Sequence, residues 1–183
     1  ASSPSAHKPK LVVHDWASRS RFNLEVCSFE PVTERQLARA HDPTFVLKVL
    51  GCQTPNGFGN CCAGVAASLV YTSGSLLSAA EHALLHREVV CSPTSGFHHA
   101  RYGRASGYCT FNGLMVTALA IKESGLANRV AILDCDAHYG DGTDDIIRRL
   151  GIDWIEHHTP GLRFQSARDA RGGQYERWLE QAI

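Results

Sequence analysis

The feature of the sequence that most constrains the fold is an apolar run that leads directly into ionisable residues. Residues Arg129 to Asp134 read Arg-Val-Ala-Ile-Leu-Asp, which is typical of a buried strand, and Asp, His and Gly residues follow at once. A helix is predicted before it, over Asn112 to Ser124 with Gly125 at the C-terminal cap, and a short buried strand before that, Glu88 to Cys91. Strand, helix and strand in this order predict a parallel α/β sheet.

Local signals predict further elements nearer the N-terminus. Leu11 to Val13 is a short apolar run, which favours a strand. Thr33 to Gln36 has the form of a capping box at the start of a helix, and a second helix is predicted after Pro43. The small-residue segment Ala63 to Arg87 predicts one long, largely buried helix with an interruption near Gly74.

Length and charge favour an ordinary globular domain. The chain has 183 residues, 44% of them hydrophobic and 20% charged, which is enough to bury one sizeable core, and we expect a single domain over residues 1–183. Eighteen basic residues balance eighteen acidic ones. A neutral chain has no overall attraction for nucleic acid or an anionic membrane, so we expect neither as a partner and look for a local site.

Cysteine usage and hydropathy indicate the compartment. The seven cysteines are odd in number and contain no C-x-x-C pair, which argues against a disulfide framework and against a structural zinc ribbon. Residues Ala1 to Lys10 contain no apolar signal-peptide core, and no run of 18 uninterrupted apolar residues occurs. We therefore expect a cytoplasmic protein that does not span a membrane.

Ionisable residues follow two successive predicted strands. His98 and His99 come after the first strand, and an Asp/His cluster comes after the second. Sites in open parallel sheets lie beyond the carboxyl ends of the strands, so both groups fall where a ligand would bind. Side chains alternate along an extended segment, so Asp134, Asp136 and His138 are expected to project to one side.

The spacing within this cluster favours a metal site. A carboxylate and an imidazole two residues apart can both reach one ion at about 2.0–2.2 Å, which makes Asp136 and His138 the candidate ligands. Asp134 and Asp141 remain available to orient other side chains. A lone His-His pair or a lone Asp-Gly turn is more often structural, but their occurrence together at one edge of the sheet favours function.

Three motifs of this sequence resemble those of the histone deacetylase and acetylpolyamine amidohydrolase superfamily. The resemblance spans roughly residues 30 to 160. The motifs are Ser95-Gly-Phe-His-His-Ala100, Gly107-Tyr-Cys-Thr-Phe-Asn112 and Asp134-Cys-Asp-Ala-His-Tyr-Gly-Asp-Gly142.

This resemblance implies a fold and a cofactor. The fold is the arginase/deacetylase α/β fold, a parallel sheet flanked by helices on both faces, here apparently truncated. The cofactor is Zn²⁺, with Asp136 and His138 as two of its three protein ligands. The resemblance also implies a structural K⁺ near the backbone carbonyls of Asp134, Asp136 and His138.

The resemblance further implies catalytic roles for the two histidines. His98 is expected to bond through Nδ1 to Asp134, and His99 to Asp141, which fixes each tautomer and raises the basicity of each ring. The implied reaction is hydrolysis of an acetyl amide, with His99 as the general base. His98 would stabilise charge or protonate the leaving amine.

Positions around the implied substrate tunnel bear on the substrate. Gly107 and Tyr108 match the wall of a narrow acyl-lysine tunnel, so acetyl-lysine or a small acetylated amine is the expected partner. Cys61 stands where some relatives carry a rim aspartate that holds a peptide backbone, which favours the small amine. Tyr139 replaces a second histidine of many relatives and is expected only to pack.

Two motifs of the family are not matched in this chain. The third zinc ligand, in a Gly-Ala-Asp-type loop, and a transition-state tyrosine near a Gly-Gly-Tyr segment are expected beyond residue 160. Arg163 to Ile183 contains Asp169 and Tyr175, but their surroundings match neither motif. The chain is therefore expected to be either a fragment or a protein without deacetylase activity as it stands.

Two other functions stay open at this point. An arginase-like ureohydrolase has a related metal motif, but it holds two manganese ions and needs a carboxylate two residues after the histidine, where this chain has Gly140. A catalytically silent domain that binds an acyl group or a partner protein without turnover is the other alternative.

Overall fold

Helices are the main secondary structure of the described residues, and two strands lie in the second half of the chain. The structure is a computed structural model that describes residues 7–19, 24–164 and 172–182. The helices and strands are α1 (Lys8–Ser18), α2 (Glu34–Ala40), α3 (Pro43–Leu50), α4 (Ala63–His86), α5 (Gly113–Glu123), β1 (Val130–Leu133), α6 (Asp141–Leu150), β2 (Ile155–His158) and α7 (Gln174–Ala182).

The starts of α2 and α3 follow from local capping. Thr33 accepts a hydrogen bond from the backbone N–H of Gln36, at 3.2 Å, and the Gln36 side chain accepts one from the backbone N–H of Thr33, at 2.7 Å. Asp42 caps α3 by accepting a hydrogen bond from Phe45 N, with Pro43 in the first turn. Both predicted helix starts are confirmed.

The predicted long helix forms, but its predicted interruption is wrong. α4 continues through Gly74 without a break. Any side-chain carbon at Gly74 would lie within 3.0 Å of backbone atoms in the segment Glu30 to Val32. The glycine therefore allows a close approach between helix and chain rather than a kink.

α4 also has the composition of a membrane span. By length and hydropathy it is long and apolar enough to cross a membrane, and no other helix in the described part of the chain is. Its buried face, however, contacts α5 and the segment Glu30 to Val32. Only 28% of the apolar window of α4 is buried, so the prediction of a largely buried helix is wrong.

α5 lies at the centre of the core. It packs against α4 and α2 and is buried over most of its length. Asn112 caps it by accepting a hydrogen bond from Met115 N, as the helix predicted over this segment requires. The main buried cluster is Val32, Leu37, Ala40, Val46, Val49, Leu69, Leu77, Phe111, Met115, Val116, Ala118, Ala120, Ile132, Ile146 and Ile155.

The described sheet is parallel, as predicted. β1 and β2 pair in register from Val130 opposite Ile155 to Leu133 opposite His158, with α6 as the connection between them. The ladder continues for one more bond, from Asp134 N to the carbonyl of His158 at 2.9 Å. Asp134 therefore leaves the sheet at its carboxyl edge, where sites form in this class of fold.

Two predicted strands are wrong. Leu11 to Val13 lies inside α1, because Pro9 in the first turn favours a helix start and three apolar residues are too short to specify a strand. Glu88 to Cys91 is not a strand in the described structure, and Val89 is 97% exposed. A strand needs a partner, and none of the described residues pairs with this segment. The prediction that Ala1 to Lys10 contains no signal-peptide core rests partly on residues 1–6, which lie outside the described residues.

Candidate active site

The His98-His99 turn lies on the N-terminus of α6. The carbonyl of His98 accepts hydrogen bonds from Gly142 N, at 2.9 Å, and Thr143 N, at 3.1 Å. A side-chain carbon at Gly142 would lie within 2.6 Å of the His99 and Ala100 backbone, so only glycine permits this contact. The unpaired N–H groups of the first helical turn thus fix the backbone of the histidine turn.

His98 bonds to the carboxylate at the end of β1. Its Nδ1 lies 2.6 Å from Asp134 Oδ2, and both side chains are largely buried. Burial lowers the pKa of His98, but the hydrogen bond to Asp134 and the charges of Asp134, Asp136 and Asp141 outweigh it, so the pKa is raised overall.

His99 forms the matching pair with Asp141, the first residue of α6. Its Nδ1 lies 2.6 Å from Asp141 Oδ1, while the Arg101 guanidinium bonds to the other oxygen, Oδ2. Burial raises the pKa of Asp141, but the bonds from His99 and Arg101 outweigh it and lower the pKa. Asp141 is thus held as an anion between an imidazole and a guanidinium.

The two histidines lie side by side, with ring centroids 4.0 Å apart. Gly107 has a positive φ of 53°, and any side-chain carbon there would lie within 3.0 Å of three His99 side-chain atoms. Tyr108 follows, also with a positive φ, and its ring centroid lies 6.1 Å from that of Phe58. Of the two predicted tunnel residues, Gly107 therefore lies beside His99, and Tyr108 lies beside Phe58.

Cys109, next to Tyr108, is buried, and burial raises the pKa of its thiol to about 11. All seven cysteines are free, and Cys61 and Cys62 are exposed. The low thiolate content of Cys109 at neutral pH makes it a poor nucleophile, so it acts as a packing residue.

Asp136 and His138 lie in the exposed loop between β1 and α6. Asp136 Oδ1 accepts a hydrogen bond from His138 N and lies near His138 Nδ1, both at 2.8 Å. The pKa of Asp136 is raised by burial but lowered more by these bonds and by the charges of His98 and His138. Ligand atoms about 2.0–2.2 Å from one tetrahedral zinc are separated by about 3.3 Å, so these two atoms are near enough to share an ion. Within the described ranges, no group of three or more His, Cys, Asp or Glu side chains is arranged to hold a metal.

A buried histidine supports the site from behind. His41 is fully buried, with Nδ1 3.0 Å from the Arg101 carbonyl and 3.2 Å from that of Tyr102, and Nε2 accepts a hydrogen bond from Asn112 N at 2.8 Å. Burial lowers the pKa of His41 to about 4. The Asn112 side chain in turn donates to the Ala100 carbonyl at 3.2 Å. The loop after His99 and the start of α5 are therefore held together by one neutral imidazole.

A sequence profile of the histone deacetylase domain matches residues 5–162. The chain belongs to the histone deacetylase family. The resemblance derived from the three motifs is thereby confirmed, and the deacetylase-family match extends further toward the N-terminus than the motifs indicated.

Three similar proteins are bacterial. An uncharacterized protein of Picosynechococcus sp. is 40% identical over 81 residues, which are 44% of this chain and 27% of that protein. Acetoin utilization protein AcuC of Staphylococcus aureus is 49% identical over 53 residues, 29% of this chain and 13% of AcuC. Acetylpolyamine amidohydrolase 2 of Pseudomonas aeruginosa is 47% identical over 57 residues, 31% of this chain and 16% of that enzyme.

The fold is similar to that in the crystal structure of the HDA15 HD domain. The TM-score is 0.69 at 20% identity, and the match covers 86% of this chain and 47% of that one. The predicted histone deacetylase fold class is therefore confirmed. This family member spans less than half the length of each of these proteins.

Some residues of this candidate site were not predicted. Arg101 follows the motif directly, and a basic residue so close to two Asp-bonded histidines is a signal that could have been used. His41 was not predicted, because nothing local shows that it bonds to residues 60 and 71 positions away. Tyr139 was expected only to pack, but its hydroxyl donates to Asp144. Asp169 lies outside the described residues, and Tyr175 lies in α7.

Proposed function

We propose that this chain forms the histidine-bearing part of a zinc-dependent amide hydrolase that removes acetyl or other short acyl groups from acetyl-lysine or small acetylated amines. The observation that carries the proposal is the pair of adjacent imidazoles, each bonded through Nδ1 to its own carboxylate at 2.6 Å. Membership of the histone deacetylase family supports it.

Asp136 and His138 are the residues proposed to hold zinc. One carboxylate and one imidazole are a donor set that suits zinc, and their donor atoms already lie 2.8 Å apart. The third ligand is expected from the later Gly-Ala-Asp-type loop that the resemblance implies. The chemistry that zinc supplies when bound there is Lewis-acid polarisation of the scissile carbonyl and of a water molecule.

The two histidines are proposed to move the protons. His99 accepts a proton from the attacking water at Nε2, because its Nδ1 is committed to Asp141. His98 carries a raised pKa, so it is suited to hold a proton and stabilise negative charge or donate to the leaving amine. Asp134 and Asp141 keep both rings in the tautomer that this requires.

The substrate is proposed from the tunnel wall and its rim. Gly107 borders His99 and the Tyr108 ring lies beside Phe58, which fits a narrow channel for an acyl-amine chain. The rim position has Cys61 rather than a carboxylate, which favours a small acetylated amine over a peptide. The free cysteines support a reducing, cytoplasmic setting, and a structural K⁺ near the carbonyls of Asp134, Asp136 and His138 stays a prediction.

The test is acetate release from an acetyl-lysine peptide and from an acetylated polyamine, with zinc supplied, by this chain and by a longer protein that contains it. Turnover by the longer protein, higher for the polyamine and lost in His99→Ala, is the expected result. His158→Ala is the matched control, because His158 lies at the edge of the sheet outside both pairs.

Two results would contradict the proposal. Absence of turnover of both substrates by both proteins would favour the silent binding domain. Two manganese ions per chain after purification would favour the ureohydrolase, although the family match and Gly140 both argue against it.

A further inference from the structure

A further imidazole–carboxylate pair lies behind the candidate active site. His157 lies on β2 with a side chain only 3% exposed, and its Nδ1 lies 2.7 Å from Asp144 Oδ1. The other oxygen of Asp144 accepts a hydrogen bond from the Tyr139 hydroxyl. Tyr139, Asp144 and His157 therefore form one hydrogen-bonded chain, and none of the three has a role in the function proposed above.

The far nitrogen of His157, Nε2, has no hydrogen-bond partner among the described residues. His157 Nε2 is buried and makes no hydrogen bond within the described part of the chain. A buried nitrogen left without a hydrogen bond is destabilising, so such atoms in folded proteins have a partner, often an internal water. The position of His157 Nε2 therefore requires an explanation.

Gly140 shows what lies opposite this nitrogen. A side-chain carbon at Gly140 would lie 2.7 Å from Asp134 Oδ2 and 3.0 Å from His157 Nε2. Both atoms therefore face Gly140 and are less than about 6 Å apart, a separation that a single water can bridge with two hydrogen bonds. Asp134 Oδ2 is also the oxygen that bonds to His98.

The donor and acceptor pattern fits such a bridge. When His157 Nδ1 donates to Asp144, Nε2 is left with a lone pair, and Asp134 Oδ2 is also an acceptor. One water has two O–H donors and satisfies both. The hydrogen-bonded chain then runs from Tyr139 through Asp144 and His157 to Asp134 and His98.

We propose that His157 is a positioning residue for the Asp134–His98 pair and holds the inner oxygen of Asp134 through one buried water under Gly140. His157 does not touch the substrate. It fixes the rotamer of Asp134, and thereby the Nδ1–H···Oδ2 bond that orients His98. The catalytic consequence rests on the function proposed above, but the hydrogen-bond chain does not.

The test uses two isosteres that separate the nitrogens of His157. In His157→Gln the amide reaches the place of Nε2, and in His157→Asn it reaches only the place of Nδ1. The measurement is solvent exchange of the His98 Nδ1 proton, followed by NMR on the 183-residue chain. We expect about fivefold faster exchange in His157→Asn, as loss of one net hydrogen bond gives, and near wild-type exchange in His157→Gln.

The control is His158→Asn, on the next residue of the same strand, whose side chain is 32% exposed and contacts Glu156 instead. It should leave the solvent exchange rate of the His98 Nδ1 proton unchanged. Equal exchange in His157→Asn and His157→Gln, or equal effects of His157→Asn and His158→Asn, overturns the proposal. Because this readout does not depend on turnover, a failure of the deacetylase function is distinguishable from a failure of this inference.

In a complete enzyme the same pair of variants should separate kcat from KM. His157→Asn is expected to lower kcat with KM little changed, because His98 is misoriented while the substrate tunnel is untouched, and His157→Gln should restore most of kcat. Equal loss in both variants would indicate a merely structural role and overturn the proposal.

Discussion

His99 and Asp136 both lie in the candidate site but have different partners, so substitutions should separate proton transfer from metal binding. His99→Ala removes the proposed general base and should lower turnover by a factor of about 10² to 10⁴ while zinc stays bound. Asp136→Ala removes a proposed ligand and should lose both zinc and turnover. Zinc content and acetate release of the zinc-loaded protein measure the two effects.

The two outcomes test separate parts of the site. Stoichiometric zinc in Asp136→Ala would contradict its assignment as a ligand. Loss of zinc in His99→Ala would instead place that histidine among the ligands, and the general base would have to be sought elsewhere. His158→Ala is again the control, since it should change neither quantity.

Arg101 should stabilise the folded chain through Asp141. In Arg101→Gln the pKa of Asp141 rises toward its ordinary value of 3.8, because one of the two groups that lower it is gone. A carboxyl with a lowered pKa stabilises the fold above its unfolded pKa and loses that contribution as pH falls through its folded pKa. The variant should therefore be less stable at pH 7 by about 1 kcal/mol, a difference that shrinks below about pH 4.

Urea unfolding of wild type and Arg101→Gln at pH 7 and pH 3 measures this difference in stability. Arg104→Gln is the matched control, because Arg104 is exposed and lies three residues away on the same loop. A difference between Arg101→Gln and wild type that is the same at both pH values would show that Arg101 acts by packing and not through the charge of Asp141.

Residues of the site could be predicted only where they lie in a local sequence motif of the family. The two His–Asp bonds join residues 36 and 42 positions apart, and they were expected because each partner lies in a recognisable motif of its family. Arg101 and His157 lie in no such motif. Their contacts depend on how α6 and β2 pack, which no local pattern of residues specifies.

Within α4, alanine substitutions at the two glycines, Gly74 and Gly64, are expected to have opposite effects on stability. Gly74→Ala gains about 1 kcal/mol of helix propensity, but the new methyl group would lie within 3.0 Å of the backbone of residues 30–32, which cannot move aside cheaply. We expect net destabilisation of about 1–3 kcal/mol. Gly64→Ala meets only the Cys62 sulfur at 3.9 Å, so it should be neutral or stabilising.

Thermal unfolding of the two variants distinguishes these effects. A lower Tm for Gly74→Ala together with an unchanged or higher Tm for Gly64→Ala is the expected result. Equal Tm values would show that the chain between Glu30 and Val32 moves away from the helix, and that the close approach at Gly74 contributes little to stability.

The starts of α2 and α3 were predicted because nearby residues specify them, whereas a predicted strand forms only where a distant partner is present. The capping box at Thr33 and the cap at Asp42 work within one turn, so sequence alone is sufficient for α2 and α3. Glu88 to Cys91 has the composition of a strand, but strand structure requires a paired neighbour. β1 was predicted correctly and has that neighbour, since β2 pairs with it along its whole length.

For the molecule as a whole, His41 joins three parts of the chain that are distant in sequence. It follows α2, contacts the loop after His99 through two carbonyls, and accepts a hydrogen bond from the residue that caps α5. Nδ1 must donate and Nε2 must accept, so only the neutral ring fits. A proton on Nε2 would face the N–H of Asn112, donor against donor.

This arrangement predicts that the chain loses stability in mild acid. The pKa of His41 is about 4 in the folded chain and about 6.5 when exposed, so between these values the unfolded chain binds a proton that the folded chain does not. Stability from this residue is complete above pH 6.5 and is lost as pH falls toward 4, by about 3 kcal/mol in total.

Urea unfolding of wild type and His41→Gln across pH 4 to 7 measures this loss of stability, with His14→Gln, on the exposed surface of α1, as control. His41→Gln should be less stable at pH 7, but it should lose less stability on acidification than wild type and His14→Gln. Equal slopes in all three proteins would show that the acid sensitivity arises elsewhere, and that the neutral imidazole does not hold the histidine loop to α5.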